Sequence, residues 1–173
     1  MLQPNMRMEL EKMLEHIEEN RIDKITYYLN IAETVAARST CLKRKYGAVI
    51  VNNSEIISTG YNGAPRGITN CSDIKKCNRE NCPRGTGYEN CIAVHAEMNC
   101  IISTRRRDMI DSSLFLVGIE LDGNYVKSPE PCSMCKKMIL NAGIKYVYVR
   151  INKSQYKLIY TNTWKKENLI GGY

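Results

Sequence analysis

His95 and Glu97 stand two residues apart, and Cys132 and Cys135 follow in the run Pro131-Cys132-Ser133-Met134-Cys135. One imidazole and two thiolates suit a zinc ion. Three protein ligands leave the fourth tetrahedral position to water, the design of a catalytic site rather than a structural one. The i, i+3 spacing of the cysteines at a helix start aims both sulfurs at one point. Pro131 suits the first helical turn, where its missing N–H removes no intrahelical bond. The electropositive end of such a helix favours thiolate over thiol. Glu97 is close enough to His95 to reach the metal's water without being a ligand. It can accept that water's proton and return it to a substrate, and zinc lowers the water pKa towards ~7. Either pair alone carries little; together, 37 residues apart, they specify hydrolytic metal chemistry.

The remaining thiols need their own account. There are eight cysteines but two histidines, His16 and His95, so an imidazole-rich centre is excluded. The N-terminus MLQPNMRMELEKMLEHIEEN is charged throughout and lacks the apolar core of a signal peptide, so a cytoplasmic protein is expected. A reducing compartment shifts a cysteine-rich pattern from disulfides towards metal binding or catalysis.

Residues 62–93 hold four of the cysteines among Gly, Pro and Asn without periodicity. An irregular loop of that length inside a compact domain needs a cross-link, which a metal would provide. Cys100, in the middle of an expected helix, reads as a small core residue.

The elements that must position these groups follow from patterning. Residues 8–20 place Leu10, Met13, Leu14 and Ile17 on one helical stripe with His16 beside it. A second helix is expected over 23–38, with Asp23 as N-cap and a stripe of Ile25, Leu29, Ala32 and Val35. Strands at 46–51 and 55–60 flank an Asn-Asn-Ser turn and read as a hairpin. A helix over 95–106, a strand over 114–120, a helix over 132–141 closed by Gly143 and a strand over 145–150 complete a β-α-β unit.

With 173 residues, 43% hydrophobic and 25% charged, the chain reads as one α/β domain over 23–173. Residues 1–22 form an N-terminal helical extension, and 62–93 a cysteine-rich insert. No apolar run approaches the ~18 residues of a membrane span. The net charge of +7 suits an anionic ligand, from a nucleotide to a nucleic acid. Its two short runs, KRK at 43–45 and RRR at 105–107, read mainly as solvated faces or interfaces.

H-x-E…P-C-x-x-C is the known signature of zinc deaminases. The segments STCLKRKYGAVIVNNSEIISTGYNGAPRG, CIAVHAEMNCI and PEPCSMCKKMILNAGIKYVYV resemble the deoxycytidylate (dCMP) deaminase family of the cytidine and deoxycytidylate deaminase superfamily, over roughly residues 23–150. The GYNGAPRG stretch separates this family from the wider superfamily better than the zinc motif does. The resemblance implies a three-layer α/β/α fold with a mixed five-stranded sheet of order 2-1-3-4-5. It implies hydrolysis of dCMP to dUMP, feeding thymidylate synthesis. His95, Cys132 and Cys135 match its zinc ligands, Glu97 its proton shuttle and Asn62 its sugar-contacting asparagine. The backbone near Ala96 and the Ser128–Pro131 stretch would read the pyrimidine edge. The segment GIELDGNYVK is longer than the family's usual step into the Pro-Cys motif, which affects the pocket rim and not the ligands.

Some family members carry a second zinc near their insert. Cys41, Cys71, Cys77 and Cys91 match its places, with Cys82 as an alternative to Cys77; four thiolates would close a structural site. Family members are typically hexamers, activated by dCTP and inhibited by dTTP near the GYNG loop. That points to Gly63, Arg66 and one of Arg105–Arg107, here Arg106, as effector residues. Arg38, Arg44, Arg66 and the 105–107 run are unranked candidates for the substrate phosphate. The rival readings are a nucleic-acid base deaminase, such as a tRNA adenosine deaminase, and a non-catalytic zinc module. The first lacks a basic stripe with interleaved aromatics, and the second has no use for Glu97.

Overall fold

The computed structural model describes residues 5–9, 13, 21–83, 85–127 and 129–166. The expected helix over 8–20, His16 included, lies outside the described residues except for Met8, Glu9 and Met13, which are helical and exposed.

Helix α1 spans Lys24–Ala36. Asp23 caps it, its Oδ1 accepting from the amides of Ile25 at 2.9 Å and Thr26 at 3.0 Å. Its buried stripe is Tyr28, Leu29, Ala32 and Ala36, turned slightly from the expected one, so that Ile25 and Val35 are half-buried. Strands β1 (Lys45–Asn52) and β2 (Glu55–Tyr61) pair antiparallel. The two residues between them, Asn53 at φ 48° and Ser54 at φ 68°, supply the double positive φ that matches a tight hairpin to the strand twist.

Beyond the insert come α3, Ala96–Ile102, and strand β3, Ser113–Ile119. The insert itself holds a short turn of helix, α2, Cys71–Ile74, and a 3₁₀ turn at Tyr88–Asn90.

The helix expected over 95–106 is corrected by the structure. It ends at Ile102, and a separate turn, α4, runs from Arg106 to Met109. Ser103 Oγ donates back to the Asn99 carbonyl at 2.7 Å, a local bond that competes with helix continuation. The break lets Met109 enter the core at 2% exposure. The three arginines therefore do not end the helix that starts at His95.

Helix α5 (Ser133–Ala142), strand β4 (Tyr146–Arg150), strand β5 (Tyr156–Tyr160) and helix α6 (Thr161–Lys166) complete the chain. Gly143 at φ 86° closes α5, as its place after the helix predicts. Pro131 lies just ahead of the N-cap residue Cys132 rather than in the first turn.

The sheet order is β2-β1-β3-β4-β5, which is the order that the resemblance implies. β3 and β4 are parallel and joined through α5, while the other pairs are antiparallel. Strand alternation builds two cores. Ala48, Ile50, Leu114, Leu116, Val147 and Val149 face α3, α5 and Trp164 of α6. Val49, Val51, Phe115 and Val117 face α1 on the other side. The layers are α/β/α.

β5 and α6 had no motif in the sequence, yet Ile159 and Trp164 bury against the first core. The long GIELDGNYVK segment folds back along β3, with the Val126 amide donating to the Gly118 carbonyl at 3.0 Å and Val126 itself buried.

Candidate metal centre and active site

His95 is the N-cap residue of α3, and Cys132 is the N-cap residue of α5. Both helices pack on the same face of the sheet, and that brings their first residues together. Nδ1 of His95 lies 3.4 Å from each of the two sulfurs, Cys132 Sγ and Cys135 Sγ. One ligand atom from each residue fits within 4.8 Å of the others, the one such cluster among the described residues. A nitrogen and two sulfurs at this spacing fit zinc with one position left open. Neither Cys132 nor His95 uses its side chain to cap its helix, so both remain available as ligands.

The electrostatics agree with a metal site. The bond from Cys135 holds the Cys132 thiol down to about 4 against the opposing effect of burial. Cys135 is pushed up by the same bond and by its burial. Without metal the two sulfurs thus share one proton and one negative charge, which a divalent ion would displace. Burial pulls His95 down, but the bond to Cys132 and the charge of Glu97 outweigh it and hold the imidazole above its ordinary value. Glu97 is 5% exposed, and that burial pushes its carboxyl up. A raised carboxyl beside a metal cluster is what a proton carrier needs, because it must be protonated for part of the cycle.

His95, Glu97 and Cys132 share one cavity of about 120 Å³ with Asn62, Ala96 and Tyr46. Asn62 is held from three sides. Its Oδ1 accepts from Ser39 Oγ at 2.6 Å and from the Tyr46 amide at 2.7 Å, and its Nδ2 donates to the Arg44 carbonyl at 2.9 Å. An amide has two N–H donors, so one Nδ2 hydrogen remains for a ligand. Ser128 lies outside the described residues. Its neighbour Glu130 lines the cavity and is held there by Lys136 and Lys157, which also keep its carboxyl below the usual range.

Of the expected effector residues, Gly63 is buried, and its amide and carbonyl both bond to Val94. Arg106 Nε donates to the Asn141 carbonyl at 3.0 Å, on the last turn of α5. Arg66 is exposed in the GYNG loop.

The insert folds against the site. Burial pushes up the thiol of Cys71, and the charges of Cys41, Cys77 and Cys91 add to that, which identifies these three as its neighbours. No three of the four come within 4.8 Å of one another. Cys82 instead faces Gly87, where a β-carbon would stand 2.8 Å from its sulfur. Cys100 is fully buried, its thiol pushed up to about 12 by burial.

Of the residues that line the cavity, Lys43, Tyr46, Arg79, Gly85, Tyr88 and Ala93 carried no sequence signal as site residues, whereas Glu130 falls in the Ser128–Pro131 stretch expected there. The proximity of Cys91 to His95 in the chain was the one available clue, since anything that orders the insert must bring residues 77–91 near the metal cluster.

The profile of the cytidine and deoxycytidylate deaminase zinc-binding region matches residues 22–151. The deoxycytidylate deaminase of Mycobacterium phage D29 is 34% identical over 140 residues, covering 74% of this chain and 94% of the phage protein. That of Schizosaccharomyces pombe is 34% identical over 125 residues, covering 70% of this chain; the match spans 35% of the yeast protein. Among solved structures, the apo dCMP deaminase of cyanophage S-TIM5 superposes with a TM-score of 0.53 at 29% identity, covering 75% of this chain and 85% of that one. No helix among the described residues is long and apolar enough to cross a membrane. A His-Cys-Cys cluster with a buried glutamate beside it, on a sheet of this order and in a chain matched over this span, makes the protein a member of the cytidine and deoxycytidylate deaminase family.

Proposed function

We propose that the protein is a zinc-dependent hydrolase that deaminates dCMP to dUMP, with residues 23–173 as the deaminase unit and 1–22 as an extension. The observation that carries this reading is the buried Glu97 carboxyl in one cavity with His95, Cys132 and Asn62. His95, Cys132 and Cys135 hold the zinc. When bound, zinc activates a water for attack at carbon 4 of the cytosine ring and stabilises the charge that develops there.

The protein's own groups do the rest. Glu97 accepts a proton from the attacking water and delivers it to ring nitrogen 3. A second proton passed through Glu97 lets the amino group leave as ammonia. Asn62 offers its remaining Nδ2 hydrogen to a sugar hydroxyl, and Ala96 and the Ser128–Pro131 stretch take the pyrimidine edge. Burial of Glu97 keeps bulk water from competing for these protons.

Ammonia release from dCMP, dCTP, deoxycytidine and a tRNA hairpin tests the reading against its rivals. Turnover of dCMP that persists at salt concentrations where polyanion binding is lost supports it. Turnover confined to the hairpin, or none at all, overturns it.

The insert supports a second zinc on Cys41, Cys71, Cys77 and Cys91, since Cys71 has the other three as its charge neighbours. The metal would draw the four sulfurs together and order the loop. Two zinc ions per chain, falling to one in Cys71→Ser, is the expected stoichiometry; one in the unaltered protein refutes it.

For assembly we propose a cytoplasmic homo-oligomer, a hexamer, that responds to dCTP and dTTP through Gly63, Arg66 and Arg106. The bond of Arg106 to the Asn141 carbonyl is made by its Nε and leaves its charge without a counter-ion in that bond. Sedimentation, and dCMP saturation curves with and without dCTP, test this. A monomer with hyperbolic kinetics indifferent to both triphosphates refutes it.

A further inference from the structure

Three cations line the cavity that holds Glu97 and Asn62: Lys43, Arg44 and Arg79. They are not equivalent. Arg44 Nε donates to both carboxylate oxygens of Glu120, at 2.8 and 2.9 Å, so its charge is already offset. Lys43 Nζ donates to the carbonyls of Arg79 and Cys82, each at 2.8 Å, and so fastens the insert to the start of β1. Arg79 has no ion-pair partner among the described residues.

The Arg79 guanidinium is nonetheless fixed in place. Its Nε and Nη2 donate to the Thr86 carbonyl at 2.9 and 2.6 Å. Its Cζ stands 4.0 Å from the centroid of the Tyr88 ring, a cation–π contact. Tyr88 in turn meets the His95 ring edge-on, with 5.0 Å between centroids. The guanidinium carbon therefore lies within about 9 Å of the His95 ring centroid. That limit accommodates the span from the reacting edge of a cytosine to a phosphate on the 5′ carbon of its sugar. A planar fork held on an aromatic face loses little freedom when it binds, and a cation without a counter-charge in a cavity wall draws an anion.

We infer that Arg79, carried to the cavity by the cysteine-rich insert, is the specificity-determining residue that reads the 5′-phosphate, so that the insert makes the enzyme select a nucleotide over a nucleoside. This rests on the dCMP reading above. Tyr88 acts as a positioning residue, placing the guanidinium relative to the metal cluster.

The test uses the full-length, zinc-loaded protein and its Arg79→Ala and Arg79→Lys variants. Two quantities are read: the ratio of kcat/KM for dCMP to that for deoxycytidine, and the affinities for dUMP and deoxyuridine by calorimetry. Charge-assisted bonds contribute about 1.5–3 kcal/mol each, so Arg79→Ala is expected to lower both the ratio and the dUMP affinity by ~10- to 100-fold. The change should appear in KM more than in kcat. Arg79→Lys keeps the charge without the fork and should recover part of the loss. Should the alanine variant lose zinc, Arg79→Gln replaces it, since glutamine retains a donor for the Thr86 carbonyl.

An unchanged ratio overturns the inference. So does an equal fall for dCMP and deoxycytidine, which would make Arg79 a structural part of the wall. If the unaltered protein deaminates neither substrate yet binds dUMP in an Arg79-dependent way, the phosphate site stands and the deaminase reading fails. If it deaminates dCMP and the variants keep the nucleotide preference, the Arg79 assignment alone fails.

Discussion

Gly60 on β2 lies directly against Cys100 on α3: a β-carbon at position 60 would stand 2.9 Å from Cys100 Cα and overlap the Ala96 carbonyl and the Cys100 amide. Two residues earlier, Ser58 Oγ donates to the Cys100 carbonyl at 2.6 Å, in the buried interior. The helix that begins beside His95 and carries Glu97 is thus seated on the sheet at backbone contact. Gly60→Ala should lift α3, because the obstructing atoms are main chain and cannot rotate away. The expected cost is about 1–3 kcal/mol or more in urea unfolding, with a larger proportional loss of turnover as Glu97 shifts.

Glu97→Gln keeps the size of the side chain and removes its ability to carry a proton. Turnover should fall by ~10²–10⁴-fold while zinc content stays at the level of the unaltered protein. Metal analysis and ammonia release on one preparation check both halves. Loss of zinc from an intact fold would count against the proton-carrier role.

Zinc itself should be removable and restorable. A strong chelator is expected to abolish turnover, and added zinc to return it. Cys135→Ala, which takes away a fully buried ligand, should give a folded protein that zinc does not rescue. Rescue by zinc alone would mean that Cys135 is not a ligand.

Arg150 is 2% exposed and bonds to Glu33 at 3.1 Å and Asn30 at 2.8 Å, while its Nε has no partner among the described residues. Glu33→Ala strands that guanidinium and should cost about 3–5 kcal/mol of stability. Burial works to raise the Glu33 carboxyl, but the bonds from Lys153 and Tyr125 and the charges of Lys153 and Arg150 outweigh it and hold it below 4.5. A depressed carboxyl contributes its stability above the unfolded value and loses it as pH falls through the folded one. Thermal unfolding of the unaltered protein should therefore weaken on acidification below about pH 4.5 more steeply than that of Glu33→Gln. Parallel pH profiles would refute the linkage.

Short-range chemistry made much of this protein legible. Asp23 capped the helix that it was expected to cap, Asn53 and Ser54 closed the expected hairpin, and Gly143 ended α5. Cys100 proved to be core. The miss at 95–106 had a local cause, the back-bond from Ser103 to Asn99, which ends the helix where the apolar residues give way to Ser-Thr-Arg-Arg-Arg. β5 and α6 escaped because their burial depends on a long-range partner: Ile159, and Trp164 among its polar neighbours, have no core to join until β4 supplies one.

By itself, the sequence determined the metal chemistry. Donor type, the three-residue cysteine spacing and the glutamate two positions from His95 follow from covalent order, and local order survives folding. The cavity was decided by the tertiary structure alone. Arg79 and Tyr88 reach His95 because Lys43 bonds to two carbonyls of the insert, at separations of 36 and 39 residues. Asn62 is set by Ser39, Tyr46 and Arg44, from segments 23, 16 and 18 residues away. Contacts at those separations leave no periodicity in the chain, because each is a single bond between segments that only the packed sheet and helices bring within reach.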